Sequence, residues 1–147
     1  MKPQYRKAVF IVTYLKDNDK ILYLILKRKL HWRGWEFPKG GIENREHLSS
    51  TIKREIREET GQKAFNIKKY NISGKYKYKK IYPDRKEIIG QTFSLFSAEL
   101  KNKKIRIDKK EHSAYKFASF KKALSLLTWK NQKKCLKIVN KYLEKLK

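Results

Sequence analysis

The chain has 147 residues and a formal net charge of +25 from 39 Lys and Arg against 14 Asp and Glu. Its 39% hydrophobic content excludes a disordered tail and predicts a single folded domain over residues 1–147. The single cysteine, Cys135, excludes an intrachain disulfide, and no apolar run reaches the roughly 20 residues that span a bilayer. We therefore expect a cytoplasmic protein without a membrane partner, and we take it as a monomer.

Segments rich in β-branched and aromatic residues predict a series of strands. They cover residues 8–16, 21–28, 64–79, 88–99 and 104–107, with shorter extended pieces at 35–37 and 115–118. Turn-forming residues at 17–20 make the first two strands a hairpin. Because residues 21–28 are nearly all apolar, that strand is expected to be buried on both faces.

Three helices are predicted, over residues 47–60, 120–127 and 129–146. Gly61 is expected to end the first helix, and Ser119 and Thr128 to cap the other two. Leucine and valine form one stripe of the last helix, which indicates core packing, with a partner surface as the alternative. The stripe contains Leu136, Val139, Leu143 and Leu146. The element order predicts an α/β (α+β) sandwich.

Acidic residues are concentrated in one part of this basic chain. Six of the 14 lie between positions 36 and 59, and they are Glu36, Glu43, Glu46, Glu55, Glu58 and Glu59. In the predicted helix, the last three span about 100° of arc and overlap the apolar stripe, whereas an amphipathic helix places acids opposite that stripe. Such crowded oxygen ligands suit Mg²⁺ or Mn²⁺. The alternative is a solvated face with ion pairs to Arg45, Lys53 and Arg57.

The segment before this helix suggests what the metal would act on. Gly40 and Gly41 allow close backbone approach, and Lys39 lies beside them. A glycine loop next to a cation and a metal cluster is suited to binding a diphosphate. Arg54 lies four residues before Glu58 and is expected to pair with it.

These residues together resemble the signature of the Nudix hydrolases. The signature residues are Gly40, Glu46, Arg54, Glu55, Glu58, Glu59 and Gly61, at the spacing of that family. One position departs, since Gln62 stands where an aliphatic residue is usual, which affects packing rather than chemistry. The resemblance implies a Nudix-type α/β/α sandwich around a mixed β-sheet. It also implies hydrolysis of a nucleoside diphosphate linked to another moiety, with Mg²⁺ or Mn²⁺ as cofactor.

The resemblance also implies roles for individual residues. Glu55, Glu58 and Glu59 would bind the metal, and the Gly40 backbone would approach the metal or a phosphate. Arg54 would orient a glutamate. The reaction would be attack of water at phosphorus, with the metal neutralising the developing charge.

Segments outside the signature resemble the asymmetrical diadenosine tetraphosphate hydrolases. They include His31-Trp32 and the run from Glu111 to Phe117. This similarity makes Glu111 a candidate fourth metal ligand or catalytic base, with an exposed turn acid as the alternative. It also implies base stacking and phosphate binding by His31, Lys39, Tyr76, Tyr78, Lys80, Tyr82 and Tyr115. Core packing is the alternative for the tyrosines.

Other substrates stay open on the sequence alone. The segment Trp35–Gly41 also resembles RNA 5′-pyrophosphohydrolases of the decapping type, and the net charge of +25 suits RNA. However, lysine far outnumbers arginine, which favours a solvated basic surface. A nucleoside triphosphate or ADP-ribose pyrophosphatase is a further alternative. A catalytically silent nucleotide-binding module is the alternative from another class, and the retained metal-ligand positions argue against it.

Overall fold

The computed structural model describes residues 3–42 and 47–147, so Glu43, Arg45 and Glu46 lie outside the described residues. The strands are β1 (Gln4–Asp17), β2 (Lys20–Arg28), β3 (Gly34–Glu36), β4 (Lys39–Gly41), β5 (Phe65–Lys77), β6 (Ile88–Leu100) and β7 (His112–Ala118). The helices are α1 (Leu48–Thr60), α2 (Phe120–Leu126) and α3 (Lys130–Lys145). A 3₁₀ turn at Pro83–Arg85 lies between β5 and β6.

The strands form one mixed sheet in the order β3-β2-β1-β6-β5. β1 and β6 run parallel, and the other pairs are antiparallel. The predicted hairpin is confirmed, with Asp17 opposite Lys20. β4 pairs with β1, whereas β3 and β7 pair with β2. Near the turn, β1 therefore pairs with β2. Farther from the turn the two strands separate and the sheet divides, so that β4 pairs with β1 and β7 pairs with β2.

Helices pack on both faces of this sheet. On the α1 face, Val9 and Leu24 join Ile52 and Ile56 of α1 in one buried cluster. On the opposite face, which we call the α3 face, Phe10 and other strand residues pack against α3. β2 contributes to both clusters because Tyr23 through Leu26 are fully buried, as its apolar sequence predicts. The architecture is thus the predicted α/β/α sandwich.

The predicted helix ends are confirmed at two positions. Gly61 adopts φ 79°, a left-handed conformation that glycine tolerates and that ends α1. The Ser119 hydroxyl accepts a hydrogen bond from the Lys122 backbone N–H at 3.3 Å and caps α2. Thr128 was predicted to cap the last helix, and this is wrong. Its hydroxyl oxygen accepts from the backbone N–H of Trp35 at 3.0 Å, so it joins the helix entry to β3.

Three other details differ from the sequence predictions. Residues 104–107 are irregular rather than a strand, because their backbone bonds to the end of α1 instead of to a strand. The Arg106 N–H donates to the Thr60 carbonyl at 2.9 Å, and the Gln62 side chain donates to the Lys104 carbonyl at 2.8 Å. Leu146 is 59% exposed because it lies past the end of α3. Residues 39–41 form a strand that their glycines did not predict.

Within residues 3–42 and 47–147, no helix is both long enough and apolar enough to cross a membrane. The single-domain organisation and the cytoplasmic location stay predictions from composition, and the monomeric state stays an assumption.

Candidate active site

A polar pocket of about 120 Å³ lies where α1, β4 and the segment before β7 meet. It is lined by Arg6, Arg28, Lys39, Gly40, Glu55, Glu58, Glu59, Asp108 and Glu111. The structure therefore brings together the predicted metal-binding residues Gly40, Glu55, Glu58, Glu59 and Glu111, although Glu111 is far from the others in sequence. Their roles in binding and catalysis stay proposals.

The carboxylates of α1 are only partly in solvent. Glu55 and Glu59 are 8% and 3% exposed, whereas the Glu58 side chain is 56% exposed. A solvated, salt-bridged face therefore does not describe Glu55 and Glu59. Arg54 places its guanidinium 3.3 Å from a Glu58 oxygen, as its spacing predicts, and also 2.7 Å from a Glu55 oxygen. It also donates to the Gly41 carbonyl at 3.1 Å, which fixes α1 to β4.

Gly40 is packed directly against Glu55. A Cβ atom at position 40 would overlap the Glu55 carboxylate, so only glycine fits without moving that side chain. The antiparallel pairing of Val9 with Gly40 places the glycine backbone against α1. The pairing of β4 with β1 therefore fixes the close approach of β4 to the carboxylates.

The crowded carboxylates are suited to a cation. Burial raises the pKa of Glu55 from its usual value of 4.5 to about 7, against the opposing effect of Arg54. Burial, reinforced by the neighbouring charges of Glu36, Glu55 and Glu111, raises the pKa of Glu59 well above its usual value. One Glu59 oxygen is buried without a hydrogen-bond partner among the described residues. An electron-pair donor from each of Glu59, Glu111 and His112 lies within 4.8 Å of the others, a donor set that fits a divalent metal.

These pKa shifts predict how metal and pH act on stability. A carboxyl group with a raised pKa in the folded protein lowers stability once the unfolded chain ionises. For Glu55 this loss is absent well below pH 4.5, grows as pH rises, and is complete above about pH 7. A divalent ion binds the ionised site and should offset the loss. At constant ionic strength, we expect millimolar MgCl₂ to raise Tm more at about pH 8 than at about pH 5.5. Equal Tm increases at both pH values would contradict this account.

A second network, centred on a fully buried carboxylate, adjoins the pocket and was not predicted. Glu36 is 0% exposed. Its carboxylate lies 3.2 Å from Arg28 Nη1, 3.2 Å from Lys39 Nζ and 2.8 Å from His112 Nε2. Although burial acts to raise it, these three partners lower the pKa of Glu36 to about 2. Glu36 is therefore engaged with cations, and it joins β2, β3, β4 and β7 at the point where the sheet divides.

Four of the predicted substrate-binding rings form a continuous cluster. Ring centroids are 4.5 Å apart for His31 and Tyr82, 5.5 Å for Tyr82 and Tyr78, and 6.0 Å for Tyr78 and Tyr76. The Arg85 guanidinium lies over Tyr78 and Tyr82 at 5.4 and 5.2 Å. Tyr76 also packs against the core of the α3 face, so it has the structural role considered as the alternative.

The remaining predicted substrate contacts lie in different places. Lys80 lies over the Tyr82 ring at 5.6 Å, at the edge of the ring cluster. Lys39 lines the pocket and lies over Trp32 at 5.8 Å. Tyr115 is 41% exposed and contacts Phe117, whose ring packs on the α1 face. The structure therefore separates Tyr115 from Tyr76, which packs on the α3 face.

Sequence reasoning missed several residues of this region. Arg6, Arg28 and Asp108 line the pocket, and a carboxylate oxygen of Asp84 lies 3.0 Å from His31 Nε2, within hydrogen-bond distance. Arg85 lies beside the same histidine, with 3.4 Å between its Nη2 and His31 Nδ1. The sequence contained a signal for Asp84 and Arg85, because the turn Pro83-Asp84-Arg85 follows the tyrosine-rich segment in the chain. The pocket arginines carry no such local signal.

Comparison with known proteins identifies the family. A family model described as the NUDIX domain matches residues 4–137. The RNA pyrophosphohydrolase of a Nitratiruptor species is 31% identical over 140 residues, which cover 87% of this chain and 86% of that protein. The asymmetrical bis(5′-nucleosyl)-tetraphosphatase of Mus musculus is 30% identical over 129 residues, which cover 86% and 84%.

A solved structure of a C. elegans Ap4A hydrolase binary complex has a TM-score of 0.77 and 20% identity, covering 95% of this chain and 98% of that one. This likeness shows that the two proteins share a fold. The family match extends over the acidic helix, the glycine segment before it and nearly the whole sheet. The chain therefore belongs to the Nudix family, as a pyrophosphohydrolase of a nucleotide-derived substrate.

Proposed function

We propose that this protein cleaves dinucleoside polyphosphates asymmetrically, with diadenosine tetraphosphate giving ATP and AMP. The observation that carries the proposal is the group of neighbouring rings His31, Tyr78 and Tyr82, together with the cationic Arg85. A dinucleotide has a second base that a simple triphosphate lacks, and stacking contributes about 1–3 kcal/mol per base. The similarity to the mouse asymmetrical tetraphosphatase supports this substrate class.

The Nudix family generally needs a divalent metal, and the pocket brings together carboxylate oxygens of the kind that bind one. We assign Mg²⁺ or Mn²⁺ to Glu55, Glu58, Glu59 and Glu111, with the Gly40 backbone beside them. When bound, the metal supplies charge neutralisation at the phosphate oxygens and Lewis-acid activation of water.

The protein's own residues prepare the reaction around this centre. Arg54 holds Glu55 and Glu58 in fixed positions, and Lys39 and Arg6 present positive charge to the polyphosphate. Water attacks phosphorus, the bridging P–O bond breaks, and the leaving phosphate takes the bonding electrons. Glu111 is our candidate to accept the proton of the water, a general-base role that typically contributes about 10²–10⁴-fold.

RNA carrying a 5′-polyphosphate is the second candidate substrate. Its support is the similarity to the Nitratiruptor RNA pyrophosphohydrolase and the net charge of +25. A single-stranded 5′ end also carries a base and a phosphate chain, so it matches the same pocket and ring cluster.

A parallel substrate panel separates these candidates. With Mg²⁺ present, we expect kcat/KM to be highest for diadenosine tetraphosphate, compared with 5′-triphosphorylated RNA, ADP-ribose and dGTP. Chromatography should show equal amounts of ATP and AMP. Faster phosphate release from the RNA would overturn the proposal, and formation of two ADP molecules would contradict asymmetric cleavage. The Glu58→Gln protein, purified in the same way, serves as the blank for contaminating phosphatases.

A further inference from the structure

A second and larger concavity, of about 500 Å³, lies on the α1 face of β1, β6 and β5. Its lining combines apolar residues with lysine and hydroxyl side chains, and we call it the polar shelf. The apolar residues are Ala8, Ile42, Gly74 and Phe93, and the polar ones are Lys7, Ser73, Lys75, Thr92 and Ser94. None of the described side chains that line the polar shelf is acidic. Neither the sequence motifs nor the catalytic pocket accounts for this surface.

Strand register explains how the polar shelf forms. Thr92 of β6 pairs with Lys7 of β1 on one side and with Lys75 of β5 on the other, so the three residues form one cross-strand row. Ser94 pairs with Ser73 in the next row on the same face. Neighbouring strands are about 4.8 Å apart, so the two lysines flank a hydroxyl across about 10 Å.

The same face is apolar where α1 covers it and polar beyond the helix. Residues of β1 and β6 under α1, such as Val9 and Phe96, are buried. Lys7, Ser73 and Lys75 are exposed. A face that received another helix would continue the apolar pattern, because helix packing buries an apolar stripe. The change to ammonium and hydroxyl groups therefore fits an open, cationic surface rather than one covered by a further helix.

Further basic and aromatic groups extend the polar shelf. Lys75 Nζ lies 4.1 Å from the centroid of the Tyr5 ring, a cation–π contact that holds both side chains on the surface. Lys77 follows two residues later in β5 and is also exposed. Aromatic side chains among cations are the usual components of surfaces that bind single-stranded nucleic acids.

We propose that the polar shelf binds the phosphate backbone of single-stranded nucleic acid. Both charged side chains among the described lining residues, Lys7 and Lys75, are cations, and the hydroxyls add neutral donors for phosphate oxygens. The polar shelf and the catalytic pocket are adjacent, because Gly40 lines the pocket and Ile42 lines the shelf. The proposal concerns binding alone, so it holds whichever nucleotide the pocket hydrolyses.

The test measures binding without turnover. A fluorescein-labelled oligouridylate with a 5′-hydroxyl has no anhydride to cleave, and EDTA removes divalent metal. Its affinity is measured by anisotropy at several NaCl concentrations, for the wild type and for the Lys7→Gln/Lys75→Gln protein. The matched control is Lys137→Gln/Lys141→Gln, which removes the same charge from exposed positions of α3.

We expect the shelf variant to bind on the order of tenfold more weakly, and its salt slope to fall by about 1.4 for two lost phosphate contacts. The control should stay within about twofold of the wild type. Equal weakening in both variants would overturn the proposal, as would wild-type affinity in the shelf variant. Competition by polyglutamate as effective as that by unlabelled oligouridylate would also overturn it. Cleavage of diadenosine tetraphosphate should be unchanged in the shelf variant. The outcome of the binding test therefore does not depend on the outcome of the substrate panel.

Discussion

Replacing Glu58 by glutamine should lower kcat/KM by about 10²-fold or more while leaving the fold intact. Glu58 lines the pocket, and Arg54 holds its carboxylate at 3.3 Å. Glutamine keeps the shape of the side chain but removes the negative charge that strengthens binding of Mg²⁺ or Mn²⁺. Because the Glu58 side chain is 56% exposed, the change removes little buried contact, and stability should move by about 0.5 kcal/mol or less. Steady-state kinetics and the melting temperature in EDTA measure the two effects.

Glu144 supplies the matched control for this substitution. Its side chain is 49% exposed and forms an ion pair of 3.3 Å with Lys147, so Glu144→Gln removes a comparable charge and contact away from the pocket. We expect Glu144→Gln to keep wild-type kinetics. Wild-type kcat/KM in Glu58→Gln would show that Glu58 is not a metal ligand, whereas unfolding of that variant would contradict its exposed position.

The parts of the site that follow from local sequence could be predicted. The carboxylates of α1 are neighbours through helical periodicity alone, so their convergence required no knowledge of the tertiary structure. The end of α1 at Gly61 and the pairing of Arg54 with Glu58 depend on spacings of a few residues. The hairpin and the helices on both faces also follow from the order and patterning of the elements.

Contacts between distant segments could not be predicted in this way. Glu36 and His112 are 76 residues apart, and their hydrogen bond exists because β3 and β7 both pair with β2. The sequence placed Glu36 in the acidic cluster but could not show that its partners are cations rather than a metal. Tyr115 shows the same limit, because strand register decides which face a side chain occupies, and register is a tertiary property.

Short or irregular segments were the other source of error. β4 has three residues, two of them glycine, and forms only because β1 offers a free edge. Residues 104–107 have the composition of a strand, yet the carbonyl of Thr60 bonds their backbone instead. In both cases a nearby partner overrides intrinsic strand preference.

Replacing Glu36 by glutamine should destabilise the protein by about 3–5 kcal/mol, the cost of leaving buried charges without their partner. The carboxylate is 0% exposed and contacts Arg28, Lys39 and His112, so the neutral amide leaves three donors around one uncharged group. At about 2–4 °C per kcal/mol for a protein of this size, Tm should fall by roughly 10 °C.

The control for Glu36→Gln is Glu99→Gln, since Glu99 is 5% exposed but has, among the residues that the structure describes, a single cationic partner, Lys101, at 3.6 Å. Equal destabilisation by both changes would contradict the account in which Arg28, Lys39 and His112 all depend on the Glu36 carboxylate. The pKa of Glu36 is about 2, against a usual 4.5, so its stabilising effect is complete above about pH 4.5 and lost as pH falls toward 2. The gap in Tm between wild type and Glu36→Gln should therefore narrow in acid.

Adding Lys39→Met to Glu36→Gln should recover part of the stability, because it removes one of the unpaired cations, and a double-mutant cycle measures that recovery.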